Sequence, residues 1–446
     1  MRQCALNPKT LWQGLISLSA LLCSVAGAQV LPNQSPHKTV GTVNCASSTC
    51  HGSIAERSST SVLQNEYTTW LRQDPHTQAY AVLNNAQSKR IAKNLNLPQP
   101  ANQSKVCLDC HSHNPAPSLR GERFDASEGV GCEACHGPAE KWIKTHVEPN
   151  ATHARNVANG LYPTDNPKAV ATLCASCHVG DASRPITHQI MGAGHPRISL
   201  EVDTFMALEP PHWRIDADWT KRKGAYDEGK IWAMGQIANS LNLLDLISNP
   251  QRNTQGIMPE LMMFDCHACH TSMHKTDWTP GMGSKPGMAR INDSSLLMVR
   301  AVSQAAAPAL QARFDTQLTA LHAISTSPSG NMAQLARAAA DLKSTISMIQ
   351  TQAAATSFNA PVVQRILKTV IAQAGQNSYT DYADAEQVYM SMSSLSNSLA
   401  RQGSAVPTGV NQSLGTMLKL LAHDDQYDRQ AFETEMLKLK NAAGAL

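Results

Sequence analysis

Ten cysteines fall in five close pairs, Cys45/Cys50, Cys107/Cys110, Cys132/Cys135, Cys174/Cys177 and Cys266/Cys269, and a histidine follows the second cysteine each time. Those histidines are His51, His111, His136, His178 and His270. With 17 histidines in 446 residues, five such adjacencies do not arise by chance. Cys-x-x-Cys-His is the covalent haem attachment pattern. Its spacing follows from its chemistry: two thiols form thioethers to the two vinyl groups of one porphyrin, and the adjacent imidazole becomes the proximal iron ligand. Disulfides are the competing reading for an exported chain. Cysteines two residues apart, however, more often serve redox, zinc or haem chemistry than structural bridging. Zinc could use Cys107, Cys110, Cys132 and Cys135 together, but it does not call for a histidine after every pair. Heme c at five sites is the expectation, four of them on the standard pattern. The first pair is irregular, with Ala46-Ser47-Ser48-Thr49 between its cysteines; that loop is small enough to bulge while both thiols reach the vinyls.

A second axial ligand is then needed for each iron. Fifteen of the 17 histidines lie between His37 and His274, so ten remain in this part of the chain once the five proximal ones are removed. His76, His146, His188 and His195 are the leading distal candidates, followed by His153 and His212. His113, His267 and His274 sit beside attachment motifs, where a surface or propionate-binding role is as good a reading. Paired histidines lower the reduction potential relative to histidine/methionine ligation, which suits a low-potential electron wire. The 17 methionines read mostly as apolar filler.

The elements around these motifs follow from composition. Arg2 and Lys9, an apolar run Leu11–Val25 and then Ala26-Gly27-Ala28 read as a secretory leader, 1–28, cut after Ala28. That run is too short to span a bilayer, and no later stretch is long enough. The expectation is export to the periplasm, with the outer surface as the alternative. A haem-bearing region, 29–280, would follow, then a Gly/Pro-rich linker, 281–293, and a helical bundle, 294–446. Aromatic residues make up only 5% and charged residues 16%, so a conventional aromatic core does not hold the first half together. In the second half Met332, Leu335, Ala339, Leu342, Ile346 and Ile349 share one helical face, as do Ala385, Val388, Met392, Leu395 and Leu399. Pro361 and Gly375 bracket a further helix. Roughly five helices are expected there, in a structural or docking role. The formal charge of +3 falls to +1 without Arg2 and Lys9 (3 − 2). Five ferric haems with ionised propionates would bring it to around −4. Nothing resembles a basic stripe for nucleic acid.

The segment Glu128-Gly129-Val130-Gly131-Cys132-Glu133-Ala134-Cys135-His136-Gly137-Pro138 resembles the cytochrome c-554/c-prime family of multihaem cytochromes. The order of an early motif, a Trp70/His76/Ala79 helix, a second motif, this segment and then Cys174-Ala175-Ser176-Cys177-His178 is also similar, over roughly residues 40–215. The resemblance implies a mostly α fold whose closely packed haems replace much of the apolar core. It places the family's first attachment site at Cys45, Cys50 and His51. It implies that His76 serves the haem at His136, that His146 or His153 serves the one at His51, and that His188 or His195 serves the one at His178. It further implies that the iron at His111 can lack a protein sixth ligand. The motif at Cys266 is additional to the family's four, and either His188 or His195 would serve it.

These readings make an exported multihaem electron carrier the leading function. Its partners would be redox proteins such as a membrane-associated quinol dehydrogenase or other cytochromes. The alternative is an oxidoreductase acting on a small nitrogen or sulfur compound at one open haem, with His111 as its site. No catalytic side chain is assigned.

Overall fold

Single turns of helix carry the attachment motifs. The structure, a computed structural model, describes residues 30–443 apart from 60–61, 271–289, 328, 375–378, 380 and 407. The leader and its cleavage point, His274, Gly375 and residues 281–289 of the linker lie outside the described residues. The first ordered elements are α1 (Glu66–Gln73), α2 (Ala86–Asn94), α3 (Lys105–His111), α4 (Cys132–His136), α5 (His153–Ala158) and α6 (Pro167–Ala175). In a helical turn residues i, i+3 and i+4 share one face, so both thiols and the imidazole of an attachment motif project together. α3 carries the second motif and α4 the third. α6, capped by Asn166 and started by Pro167, widens into a π turn, Ser176–Gly180, and the fourth motif spans that junction. The fifth lies on a 3-10 turn, Cys266–Ala268.

The first motif reaches the same arrangement by another route. A 3-10 turn, Thr42–Cys45, delivers the first cysteine. The amides of Cys50 and Gly52 both donate to Ser47 O, at 2.8 and 2.9 Å, folding the intervening residues into a loop. His51 N–H then donates to Cys45 O at 3.2 Å. His270 makes the same closure to Cys266 O, at 2.8 Å, in a motif of standard length. The two extra residues are looped out, and the cysteine-to-histidine relationship is retained.

Apolar packing is sparse around these motifs and dense beyond them. Two small clusters, Leu31/Tyr162/Ala169/Leu173 and Leu83/Ala92/Ala101, lie in the motif-bearing part, whereas the large cluster runs from Ala171 to Leu439. Short elements α7 (His188–Gly192), α8 (Val202–Leu208) and α9 (Ala217–Lys223) lead into α10 (Glu228–Ser248), the central helix of that large core. α10 packs against α6 and α8 and against three later helices, α11 (Ser294–Ala306), α13 (Met332–Ala355) and α15 (Tyr382–Arg401). Ile231, Trp232, Met234, Ile237, Leu244 and Ile247 are buried on different sides of it, so it has no polar face.

Seven α-helices, not five, follow residue 293 among the described residues. The others are α12 (Gln311–Ser325), α14 (Ala360–Ala372), α16 (Thr408–Leu420) and α17 (Arg429–Ala443). Pro308 separates α11 from α12. An Asn331/Gln334 capping box starts α13, and Asn359 caps α14 ahead of Pro361. The face Leu335, Ala339, Leu342, Ile346 and Ile349 is buried, as is Ala385, Val388, Met392, Leu395 and Leu399. The only strands described are the two-residue β1 (Thr254–Gln255) and β2 (Met258–Pro259). The fold is mostly α.

Candidate haem-binding centres

Each motif histidine faces one histidine from outside the attachment motifs. Ring centroids are 6.3 Å apart for His51/His146, 6.2 Å for His76/His178, 6.2 Å for His111/His195, 6.3 Å for His136/His212 and 6.3 Å for His188/His270. The interplanar angles range from 14° to 88°, so ring stacking does not set this common spacing. A shared metal would: two imidazole–metal bonds of about 2.0 Å each, plus the ring radii, put collinear centroids roughly 6.3 Å apart. The residues present therefore fit five irons, each between two imidazoles.

Hydrogen bonds select the nitrogen that stays available. Nδ1 of His51 donates to Glu66 Oε2 (2.9 Å), that of His76 to Asp74 Oδ1 (2.9 Å) and that of His111 to Ala79 O (2.9 Å). Nδ1 of His146, His195 and His212 donates to the carbonyls of Trp142 (3.3 Å), Pro196 (2.8 Å) and Pro210 (3.4 Å). In all six rings Nδ1 is engaged and Nε2 keeps its lone pair, the usual arrangement of metal-bound histidine. Burial pushes His136 down to about 3 and His178 down to about 4, and it lowers His111 as well. These rings are therefore unprotonated at neutral pH and able to ligate. The bonds to Glu66 and Asp74 raise His51 and His76.

The Gly-Val-Gly-Cys-Glu-Ala-Cys-His-Gly segment works as a clasp. A Cβ at Gly129, where φ is +75°, would meet His76 O at 2.6 Å, and one at Gly131 would meet Thr42 Oγ1 at 2.2 Å. Both glycines are needed so that the turns carrying His76 and Cys45 can close on the third motif. Val130 N donates to His76 O (3.1 Å) and accepts with its carbonyl from Trp70 Nε1 (3.1 Å), fixing α1. The buried Glu133 carboxylate accepts backbone N–H groups from Val40 (2.9 Å), Gly41 (2.8 Å) and Ala139 (2.7 Å). Glu128 accepts from Thr42 N at 3.2 Å. These tethers were not read as functional from sequence, although the two acidic residues flanking Gly-Val-Gly-Cys were visible there.

The ten described cysteines are free thiols. Cys45 lies next to Cys132, and Cys110 next to Cys177. The first motif thus lies beside the third, and the second beside the fourth. Cys50, Cys266 and Cys269 are exposed.

Several pairings differ from those the family resemblance implied. His76 faces His178 rather than His136, because Asp74 caps the turn Pro75–Gln78 and turns the ring toward α6's end. His212, a minor candidate in sequence, faces His136. His195 faces His111, where an open position was expected, and His188 faces His270. Of the alternatives for His51, His146 faces it, while His153 Nε2 bonds Asp165 at 3.0 Å instead. His113 is buried with Nε2 2.8 Å from Thr39 Oγ1, and His267 stands 3.7 Å from Asp265.

Residues 44–137 match the family model described as cytochrome c554 and c-prime. No curated protein and no solved structure matches the chain. Over this segment the chain resembles that family of c-type cytochromes, and the resemblance supports covalently bound haem c and a role in electron transfer.

Proposed function

We propose that the protein is an exported multihaem electron carrier that exchanges electrons between redox partner proteins, holding five haem c groups with two histidines on each iron. The observation that supports this most is the five facing histidine pairs at 6.2–6.3 Å. Haem c supplies a one-electron iron couple when bound. The chain's own part would be to anchor the porphyrins through Cys45/Cys50, Cys107/Cys110, Cys132/Cys135, Cys174/Cys177 and Cys266/Cys269, and to offer two imidazoles to each iron. Nδ1 hydrogen bonds hold the rings in one orientation, so little rearranges when the charge on the iron changes. Filling both positions also excludes small ligands, including at His111, where His195 stands opposite; this favours carriage over catalysis on a nitrogen or sulfur substrate.

Close neighbours among the motifs support electron passage within two pairs, the first beside the third and the second beside the fourth. Cys266, Cys269 and His270 are exposed, which supports a fifth site open to a partner's own centre. Partners of this kind include a membrane-associated quinol dehydrogenase or other cytochromes, met in the periplasm. Among the described residues no helix is long and apolar enough to cross a membrane. The intact mass of the denatured protein tests this reading: five covalently held haems on a chain beginning near residue 29 are expected. A mass showing four, or none at the Cys45/Cys50 pair, contradicts it.

A further inference from the structure

Arg184 is a buried cation for which the described residues provide no counter-ion. It is 8% exposed, and no described carboxylate stands within ion-pair distance of it. Its Nη1 donates to Ser176 Oγ (2.7 Å) and meets Cys177 Sγ at 3.0 Å, while Nε has no partner. The loop beneath is built to hold it there. Asp181 Oδ1 accepts from Ser183 N, Ser183 Oγ and Arg184 N at 2.7, 2.7 and 2.9 Å, spending that carboxylate oxygen on the turn rather than on the guanidinium.

A second buried nitrogen without a partner belongs to His113, just after the second motif, whose Cys110 lies next to the Cys177 that Arg184 touches. His113 is 5% exposed and pinned by its own amide to Gly129 O (2.9 Å) and by Nε2 to Thr39 Oγ1 (2.8 Å). Its Nδ1 is buried with no partner. An unpaired guanidinium in a dry interior costs several kcal/mol, and an unsatisfied ring nitrogen adds to that. A carboxylate would answer both, and the porphyrin brings two propionates.

We propose that Arg184 and His113 form a buried carboxylate site for a haem propionate, at the junction of the second and fourth motifs. Arg184 is the ionic partner and His113 Nδ1–H the second donor. The inference rests on the haem reading above. It makes Arg184 a positioning residue that would also place a fixed positive charge near the haem whose propionate it holds, favouring that haem's reduced form.

The test uses the haem-loaded protein and the variants Arg184→Gln, Arg184→Lys and His113→Phe, with haem number from denatured mass and each midpoint potential from spectroelectrochemical titration. All variants should keep the wild-type haem number. Arg184→Gln should lower one haem's ferrous-to-ferric ratio at least tenfold, about 59 mV for one electron. Arg184→Lys should restore most of that shift, and His113→Phe should move the same haem in the same direction by a smaller factor. Potentials within twofold of wild type in a fully loaded Arg184→Gln protein, or no recovery with lysine, overturn the site. Should Arg184→Gln fail to mature, His113→Phe decides: an unmoved set of potentials is a refutation. A wild-type protein lacking haem at these motifs would instead refute the haem reading itself.

Discussion

His111 and His195 face each other with ring centroids 6.2 Å apart, and each ring's Nδ1 is engaged by a backbone carbonyl, Ala79 O and Pro196 O. The position expected to be open is thus flanked by two imidazoles, each with Nδ1 engaged and Nε2 left available. His195→Ala removes the outer ligand without touching the attachment motif. The variant should keep its haem number, gain a high-spin signal and bind CO once reduced, whereas the wild type should do neither. CO binding to the wild type at one haem would favour the alternative, enzyme reading over electron carriage.

The loop in Cys45-Ala-Ser-Ser-Thr-Cys50-His51 is folded so that His51 N–H meets Cys45 O, as in a standard motif. Removing Ser47 and Ser48 should therefore leave attachment intact, while Cys45→Ala/Cys50→Ala should reduce the denatured mass by one haem. Equal masses for the double-alanine variant and the wild type would show that this pair never held a porphyrin.

Glu133 joins the third motif to the segment leading into the first through the amides of Val40 and Gly41, and also accepts from Ala139 N. Glu133→Ala leaves those buried donors unsatisfied and should cost roughly 3–5 kcal/mol. Chemical denaturation followed by circular dichroism should show the loss, with Glu133→Gln intermediate. A denaturation midpoint unchanged in the alanine variant would remove the clasp from the account.

Asp203, on α8, is pushed up to about 7 by burial and by the neighbouring carboxylates Glu201 and Glu228. A carboxyl raised in the folded state binds its proton more tightly there than when unfolded. Its contribution is therefore fully present below the ordinary carboxylate range and is lost as pH rises through about 7. Asp203→Asn should match the wild type near pH 5 and exceed it in denaturation midpoint near pH 8. Parallel curves for the two proteins across this range would contradict the assignment.

Much of the site was legible because covalent attachment is local. A motif's thiols and proximal imidazole lie within a turn or two of each other, so spacing alone identifies them. The distal histidines are different. His212 follows two prolines and reaches His136 from 76 residues away, a juxtaposition that only tertiary packing creates. In the second half, the stripes on α13 and α15 were readable because each has a polar side. α10 was not, because a helix buried on every face has no period to detect. Of the seven later helices only α13, α14 and α15 carried a pattern that placed them individually.

The central claim is that each iron has two histidines. EPR of the fully oxidised protein, integrated against the haem number from denatured mass, tests it most directly. The account predicts low-spin signals that sum to five haems, with no high-spin component. A high-spin signal amounting to one haem or more, in the wild-type protein, would contradict it.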